Sequence, residues 1–420
     1  MVKLIPKKET LSLLKDKLDG KIDISYQGIA NMSGYSKRQL IRLSKQLEEK
    51  DIESSLIHGN IGRIAQNAAN NTEMEFYKWL KNQYPNITIA QFKDYVDEDY
   101  IDNPLKQWKV KKYKLVKRSY SFFRDLFRKL KWRSPKKHRS ISTKKVLHLI
   151  RDPMPRRGIL IQIDGTPHDW FNNGKQYCLH MAVDDATSET LAGWFTKEEC
   201  QYGYIKIMRL ILEKYGIPLK LYSDKHTIFK ANDGNYTQFG LMMKDLGIEM
   251  IYANTPEAKG RIERDNATFQ GRLINDIKRF KIKSYDELNI WFNDFYIKYM
   301  NSKFSRIPKD PNDEFIPMLD NYNYDFLFSW RFERTINSNN MFSFDGYYYV
   351  PFNEETGEII PIRRTIKVAL RQSVETKEIR ILRNNKWYPC KIMGKSIIGK
   401  KNKIISNQKE LLQEMQDIIK

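Results

Sequence analysis

Three acidic residues lie where carboxylates can act together. Asp164 ends the apolar run Ile159–Ile163, Asp224 follows Leu219–Ser223 60 residues later, and Glu263 comes 39 residues beyond that in a long amphipathic segment. Carboxylate oxygens are the ligands that Mg²⁺ prefers, and three of them together repel one another unless cations lie between them. Two cations about 3.5–4 Å apart can activate an attacking hydroxyl and stabilise the leaving oxygen of a phosphodiester. The pattern predicts metal-dependent phosphoryl transfer, although a single Asp after a strand more often caps a turn.

The elements around these residues have the order of an α/β domain. From Gly158 the pattern predicts three strands, a helix, a strand, a helix, a strand, and a long helix from Pro256 to about Lys278. Such an order gives a mixed sheet. Ligands of open α/β sheets bind at the ends of strands, so we expect Asp164 and Asp224 at one edge, with the long helix facing them.

Four segments resemble the motifs of one family. They are Ile161–Phe171 (IQIDGTPHDWF), Asp184–Thr187 (DDAT), Leu221–His226 (LYSDKH) and Asn254–Arg264 (NTPEAKGRIER). They are similar to the motifs of bacterial insertion-sequence DDE transposases with a retroviral-integrase-type core, and the resemblance extends over most of the chain.

The resemblance implies a ribonuclease-H-like core in which Asp164, Asp224 and Glu263 are catalytic and hold two Mg²⁺ or Mn²⁺ ions. It implies a polynucleotidyl transferase that binds the terminal inverted repeats of a transposon, cleaves DNA 3′ ends and transfers them into target DNA. Retroviral integrases have a His-His-Cys-Cys zinc module before the core, and this sequence has none there. Helix–turn–helix units must therefore recognise the DNA ends.

Positive charge is concentrated before the core. The chain has 73 Lys and Arg against 51 Asp and Glu, a net charge of +22, and residues 101–157 alone carry +17. This excess predicts a polyanionic partner, nucleic acid before membrane. Six aromatic residues alternate with the basic ones between Val110 and Lys145, which suits a folded helix lying on phosphates. A solvated linker is the alternative.

Two helical units are predicted to contact DNA. Ser36 and Gln39 form a capping box for a helix at the end of a helix–turn–helix pattern. In the second unit we expect Ser121 to cap a helix over Phe122–Lys131. On the long helix, three polar residues at −4, +3 and +7 from Glu263 share its face. The predicted DNA contacts are Lys37, Arg38, Arg42, Arg63, Arg124, Arg128, Lys225, His226, Lys259, Asn266 and Gln270.

Several other polar residues have two interpretations. His168 and Asp169 could steer the scissile strand or cap a turn. Asp184 and Asp185 could add a carboxylate to the metal site, but structural hydrogen bonding is favoured. We interpret Trp170 and Phe171 as core residues, and three arginines as solvated charge: Arg261, Arg264 and Arg272.

The predicted fold is multidomain, with N-terminal all-α helix–turn–helix units, an α/β RNase H-like integrase core and a C-terminal small β-barrel. The barrel prediction rests on alternating segments and a hairpin around Asp345–Gly346. The predicted domains are a helix–turn–helix domain 1–56, a linker 57–70, a second helical DNA-binding domain 71–135, a basic linker 136–157, the catalytic core 158–284, a helical connector 285–330, the barrel 331–395 and a tail helix 396–420.

Composition sets the remaining expectations. No 18-residue apolar window or signal-peptide run is present, and the three cysteines are scattered without a CxxC pair. We therefore expect a cytoplasmic, nucleoid-associated bacterial protein without a disulfide scaffold or cysteine-based zinc site. Its expected partner is double-stranded DNA, both transposon ends and target, on which a homodimer or higher oligomer assembles. The alternatives are a DNA-binding regulator with an inactive core and a hydrolytic nuclease of the same fold.

Overall fold

The computed structural model describes residues 5–56, 68–135, 152–231, 235–252, 260–319, 322–362 and 365–395. The chain divides into two compact units. The N-terminal unit comprises the chain up to Trp79 together with Gln107–Val116, and the core unit comprises Leu80–Lys106 and the chain from Lys117 onward. No helix within the described ranges is long and apolar enough to cross a bilayer.

Eight helices precede the first described strand in these ranges. Two further short turns lie among them, a π-helical turn over Asp97–Ile101 and a 3₁₀ turn over Pro104–Lys106. The helices are α1 (Lys7–Leu18), α2 (Tyr26–Ser33), α3 (Lys37–Glu49), α4 (Ile52–Leu56), α5 (Asn71–Gln83), α6 (Ile89–Val96), α7 (Gln107–Tyr113) and α8 (Tyr120–Lys129).

The N-terminal unit contains the predicted helix–turn–helix. Gly34 ends α2 with a positive φ of 71°, and Ser36 begins α3 with the predicted capping box to Gln39. Leu40 and Leu47 of α3 are buried against α1 and α2. Because the apolar side of α3 faces this small core, its basic side is presented to solvent.

In the core unit, α6 and α8 begin at side-chain caps. Thr88 accepts a hydrogen bond from the Gln91 amide and caps α6, as predicted. The predicted cap of α8 is wrong: Ser119, not Ser121, accepts from the Phe122 amide at 3.2 Å. Ser121 is already in the first helical turn, and its hydroxyl lies 2.9 Å from that of Ser119.

A five-stranded mixed sheet forms the centre of the core unit, and its strands are β1 (Leu160–His168), β2 (Tyr177–Asp184), β3 (Thr190–Thr196), β4 (Lys220–Ser223) and β5 (Glu249–Tyr252). The strand order is β3-β2-β1-β4-β5, with β1 antiparallel to β2 and parallel to β4. The predicted α/β order is confirmed.

Helices cover both faces of this sheet, and their bounds are α9 (Gln201–Lys214), α10 (Gln238–Asp245), α11 (Gly260–Phe280), α12 (Tyr285–Trp291) and α13 (Ile297–Phe304). Ile161 and Ile163 of β1 pack under α9 and α10. Leu179 and Met181 of β2 pack on the other face, beneath α11 and α12. A π-helical turn, Phe292–Tyr296, joins α12 to α13.

The C-terminal part, where the sequence predicted a small β-barrel, is a nearly closed, barrel-like sheet of six strands. A short helix, α14 (Tyr324–Leu327), precedes it, and its strands are β6 (Ser329–Thr335), β7 (Phe342–Phe344), β8 (Tyr347–Pro351), β9 (Lys367–Ser373), β10 (Ile379–Arg383) and β11 (Lys386–Lys395). The order is β6-β9-β10-β11-β8-β7. The predicted hairpin is β7–β8, with Asp345 and Gly346 both at positive φ. The predicted tail helix 396–420 lies outside the described residues.

The barrel-like sheet is held to the core sheet's helices by both apolar and charged contacts. Trp330 of β6 and Val374 belong to the apolar cluster under α9 and α10. Asp245 at the end of α10 pairs with Arg331 at 2.7 Å and Arg371 at 3.0 Å. These contacts make the barrel-like sheet part of the core unit.

Candidate active site

Asp164 and Asp224 lie where the parallel pairing of β1 with β4 ends. Asp164 does not end its strand as predicted, because β1 continues to His168 in its antiparallel pairing with β2, whereas Asp224 directly follows β4. In the parallel pair β1 and β4, Gln162 is opposite Tyr222. Asp164 stands two residues beyond this last pair on β1, and Asp224 stands two residues beyond it on the other side, directly after β4. Neighbouring strands are about 5 Å apart. Both aspartates are half-buried. The strand geometry therefore brings together the first two predicted carboxylates.

Alternate residues of β1 face α11. A helix rises about 6 Å over four residues, and a strand rises about 6.6 Å over two. Every fourth residue of α11 can therefore contact every second residue of β1. The contacts are Ile262 N to Gln162 Oε1 at 3.3 Å, Asn266 Nδ2 to Asp164 Oδ2 at 2.9 Å and Gln270 Nε2 to Thr166 Oγ1 at 2.8 Å.

Glu263 is exposed in the first turn of α11. It follows Ile262, so it is rotated about 100° from the line of contacts with β1. The described residues contain no group of three or more His, Cys, Asp or Glu side chains placed to hold a metal ion. The structure thus brings Asp164 and Asp224 to one edge, with Glu263 on the helix that contacts Asp164, and does not gather the three into one cluster.

The donor atoms at this edge suit a hard divalent cation. Asp164 and Asp224 offer carboxylate oxygens, and Asn266 adds an amide oxygen, a donor type that such cations also accept. Asn266 is only 8% exposed, and its Oδ1 atom is buried with no hydrogen-bond partner among the described residues. A buried polar atom without a partner is costly, and a cation that reached this oxygen would satisfy it.

The predicted DNA contacts are distributed over both units. Lys37, Arg38 and Arg42 are exposed on α3 of the N-terminal unit. The basic residues of α8 are exposed and lie beside one carboxylate, since Arg128 pairs with Asp125 at 3.2 Å and Arg124 lies 3.5 Å from the same side chain. In the core unit, Lys225 and His226 are exposed next to Asp224. Arg63 and Lys259 lie outside the described residues.

The polar residues around the motifs are mostly structural. Asp169 caps a turn, because it accepts hydrogen bonds from the Asn173 and Gly174 amides at 3.0 and 2.7 Å, and the first of these helps to lower its pKa. Trp170 is fully buried. Asp184 is also buried, and it accepts the amides of Gly158, Ala186 and Thr187.

Two arginines of α11 do not have the role expected from the sequence. Arg261 and Arg272 were predicted to be solvated charges. Arg261 instead bonds to the buried Asp185 at 2.8 Å, and Arg272 is buried in an ion pair with Asp94. The partners lie 76 and 178 residues away in the chain, so helical periodicity gives no signal for either pair.

Glu199 is a residue near the site that sequence reasoning missed. A Cβ atom added to Gly165, the residue after Asp164, would lie 2.8 Å from Glu199 Cδ. The buried Tyr204 donates its hydroxyl to Glu199 Oε1 at 2.6 Å and holds that carboxylate in place. The available signal was the Gly in the strand, because a strand Gly often marks close approach by another group.

Sequence comparisons show similarity to insertion-sequence transposases, which confirms the predicted resemblance. The chain is 34% identical over 235 residues to the transposase for insertion sequence IS1202 of Streptococcus pneumoniae, which covers 54% of this chain and 50% of that protein. It is 37% identical over 168 residues to transposase y4bF of Sinorhizobium fredii, which covers 38% and 36%. The chain thus spans half or less of the length of the relatives it matches. No family model matches it.

The solved structures that this chain matches include retroviral integrases. The catalytic core of HTLV-2 integrase in complex with magnesium is 18% identical, with a TM-score of 0.27, over 33% of this chain and 85% of that one. A chain of the simian T-cell lymphotropic virus intasome in complex with PP2A regulatory subunit B56 gamma is 13% identical, with a TM-score of 0.30, over 67% of this chain and 93% of that one.

Proposed function

We propose that this chain is a DDE transposase that binds the terminal inverted repeats of an insertion sequence and catalyses 3′-end cleavage and strand transfer. One observation carries the proposal: Asp164 in β1 and Asp224 directly after β4 stand where the parallel pairing of these two strands ends, and α11, with Glu263 in its first turn, bonds to Asp164 through Asn266. The similarity to insertion-sequence transposases supports the same assignment.

In this proposal Asp164, Asp224 and Glu263 hold the Mg²⁺ or Mn²⁺ ions, two per site. Bound metal supplies activation of the attacking oxygen and charge stabilisation at the leaving oxygen. Asn266 fixes the orientation of the Asp164 carboxylate through its 2.9 Å hydrogen bond. The exposed Lys225 and His226, beside Asp224, bind phosphates of the DNA strand to be cut.

DNA-end recognition is assigned to the N-terminal unit. Helix α3 presents Lys37, Arg38 and Arg42 to solvent at the N-terminal end of the second helix of a helix–turn–helix, which is the end that enters a major groove in this motif. The exposed Arg124 and Arg128 of α8 add phosphate contacts in the core unit. Lysines and arginines that replace condensed counterions give steeply salt-dependent binding.

The proposed partner is double-stranded DNA, on which two or more copies assemble. One chain has a single set of Asp164, Asp224 and Glu263, whereas transposition joins two ends to target DNA. A mixture of two full-length chains tests the assembly: one carries Glu263→Gln, and the other carries Arg38→Ala with Arg42→Ala. Recovery of strand transfer on mixing indicates that one chain binds an end that another cuts. No recovery from co-assembled chains would show that each copy cuts the end it binds.

The test of the reaction uses a duplex carrying the inverted repeats that flank the coding sequence, incubated with the protein and Mg²⁺. Asp164→Asn, Asp224→Asn and Glu263→Gln should each abolish cleavage and strand transfer while end binding persists. Asp286→Asn, an exposed carboxylate on α12, is the matched control and should retain activity. Ca²⁺ should support binding with little chemistry, because its looser coordination positions the reacting oxygens poorly.

The outcome separates the alternatives. Near-normal strand transfer by any of the three variants contradicts the site assignment. Cleavage without joining by the wild-type chain indicates a hydrolytic nuclease, and binding without either reaction indicates a regulator.

A further inference from the structure

Asp185, directly after β2, is a buried carboxylate that joins three parts of the chain. It has no solvent exposure. Its Oδ2 accepts the Met154 amide at 2.8 Å, and its Oδ1 accepts both Gln162 Nε2 and Arg261 Nη1 at 2.8 Å. A carboxylate without water is stable only when it is paired and hydrogen-bonded. These donors therefore hold β1, β2 and the first turn of α11 together.

Gln162 connects this carboxylate to a backbone amide in the first turn of α11. The amide of Ile262 donates to Gln162 Oε1 at 3.3 Å, while the other end of the same side chain donates to Asp185. With an exposure of 1%, Gln162 has both ends of its amide in use inside the protein.

Two consecutive residues of α11 are thus bound to one carboxylate, Arg261 directly and Ile262 through Gln162. The next residue is Glu263, and Gln162 stands two residues before Asp164 on the same strand. We propose that Gln162, Asp185 and Arg261 form a positioning relay, which fixes the rotation of the first turn of α11, and with it the place of Glu263, relative to the strand that carries Asp164. This inference rests on the proposed function, in which Glu263 supplies the third carboxylate.

The polar character of the relay is what gives it this role. A buried ion pair is often no more stabilising than apolar side chains of similar volume, so stability alone does not explain Asp185 and Arg261. Hydrogen bonds have defined directions, and they fix the rotation of a helix more strictly than apolar packing does. Because one residue is a rotation of about 100°, even a small rotation of α11 changes where Glu263 lies relative to Asp164 and Asp224.

The test compares Arg261→Met and Gln162→Met with Arg264→Met, which removes an exposed arginine from the same helix. Amide hydrogen exchange is measured in the full-length protein for residues 260–266 and for residues 272–280. Both relay variants should speed exchange in the first stretch about tenfold or more and leave the second unchanged. Arg264→Met should change neither, and Arg261→Lys, which keeps the charge, should restore part of the protection.

The second measurement is the Mg²⁺ concentration that gives half-maximal cleavage of the flanking-repeat duplex, with duplex affinity measured in parallel. Arg261→Met should raise this concentration about tenfold, because the three carboxylates would be assembled less often, and should leave the affinity for the duplex unchanged. Arg261→Lys should return the concentration part of the way. Unchanged exchange in both relay variants overturns the proposal. Faster exchange with an unchanged Mg²⁺ requirement also overturns it, because the relay would then be only structural.

The two measurements separate this inference from the proposed function. If the wild-type chain cleaved no DNA with any divalent cation, the proposed function would fail, and with it the role assigned to Glu263. The exchange comparison would still decide, without any reaction, whether the relay holds the first turn of α11.

Discussion

Replacement of Asp276 should loosen the attachment of the α6 segment to α11. Asp276 lies in the second half of α11 with no solvent exposure. Its two carboxylate oxygens accept the hydroxyls of Tyr95 and Tyr296, both at 2.6 Å. Tyr95 is in α6, and Tyr296 is in the π-helical turn before α13. One carboxylate therefore joins three elements of the core unit.

The expected magnitude follows from these contacts. A hydrogen bond to a charged group contributes about 1.5–3 kcal/mol. In Asp276→Asn the shape is kept, but the amide can accept from only one hydroxyl and turns its own donors toward the other. We therefore expect the free energy of unfolding to fall by about 3 kcal/mol, the upper part of that range. Tyr95→Phe removes one donor and should cost about 2 kcal/mol.

The assay is urea unfolding of the core unit, followed by circular dichroism, for both single variants and the double variant. Because the two side chains share one hydrogen bond, their effects should not add, and the coupling energy should be about 1 kcal/mol or more. Asp286→Asn, exposed on α12, is the control and should stay within about 0.5 kcal/mol of wild type. A coupling energy near zero, or a loss below about 0.5 kcal/mol for Asp276→Asn, would refute this reasoning.

Three further predictions concern pH, the sheet edge and DNA binding. Burial lowers the pKa of His180 from 6.5 to about 4, so the unfolded chain is protonated before the folded chain as the pH falls. The free energy of unfolding should therefore drop by about 3 kcal/mol between these two pKa values, and His180→Gln should flatten the decline. Gly165→Ala places a Cβ against Glu199 and should reduce cleavage without weakening end binding, whereas Gly271→Ala, which has open space, should not. Replacing Arg38 and Arg42 by Ala should lower the slope of log affinity against log salt by about two; an unchanged slope would place the phosphate contacts elsewhere.

Local patterns predicted the elements that carry the candidate site. The apolar run before Asp164 and the residues before Asp224 specify strands β1 and β4, and the parallel pairing then brings the two aspartates to one edge. The capping box of Ser36 and Gln39 was also readable, because both residues lie within one helical turn. In each case the physical cause lies within a few residues of the feature.

Features that depend on distant partners could not be read in this way. Arg261 and Arg272 have the spacing of solvated helix charges, yet they are paired with Asp185 and Asp94. A helical pattern shows which residues share a face but not what covers that face. The useful signal was Gln162, a polar residue within the apolar first half of β1, because a buried amide needs partners at both of its ends.

Helix α11 is held by buried polar groups at both ends, and this arrangement suits the role proposed for it. Near its start, Arg261 and the Ile262 amide are bound through Asp185 and Gln162. Near its end, Asp276 accepts two tyrosine hydroxyls from other elements. Apolar packing alone tolerates small sliding and rotation, whereas directional bonds at two places about 20 Å apart along a helix leave little of either. A carboxylate that must meet two others on a separate strand pair requires this restriction, and we infer that the position of Glu263 is set by both anchors together.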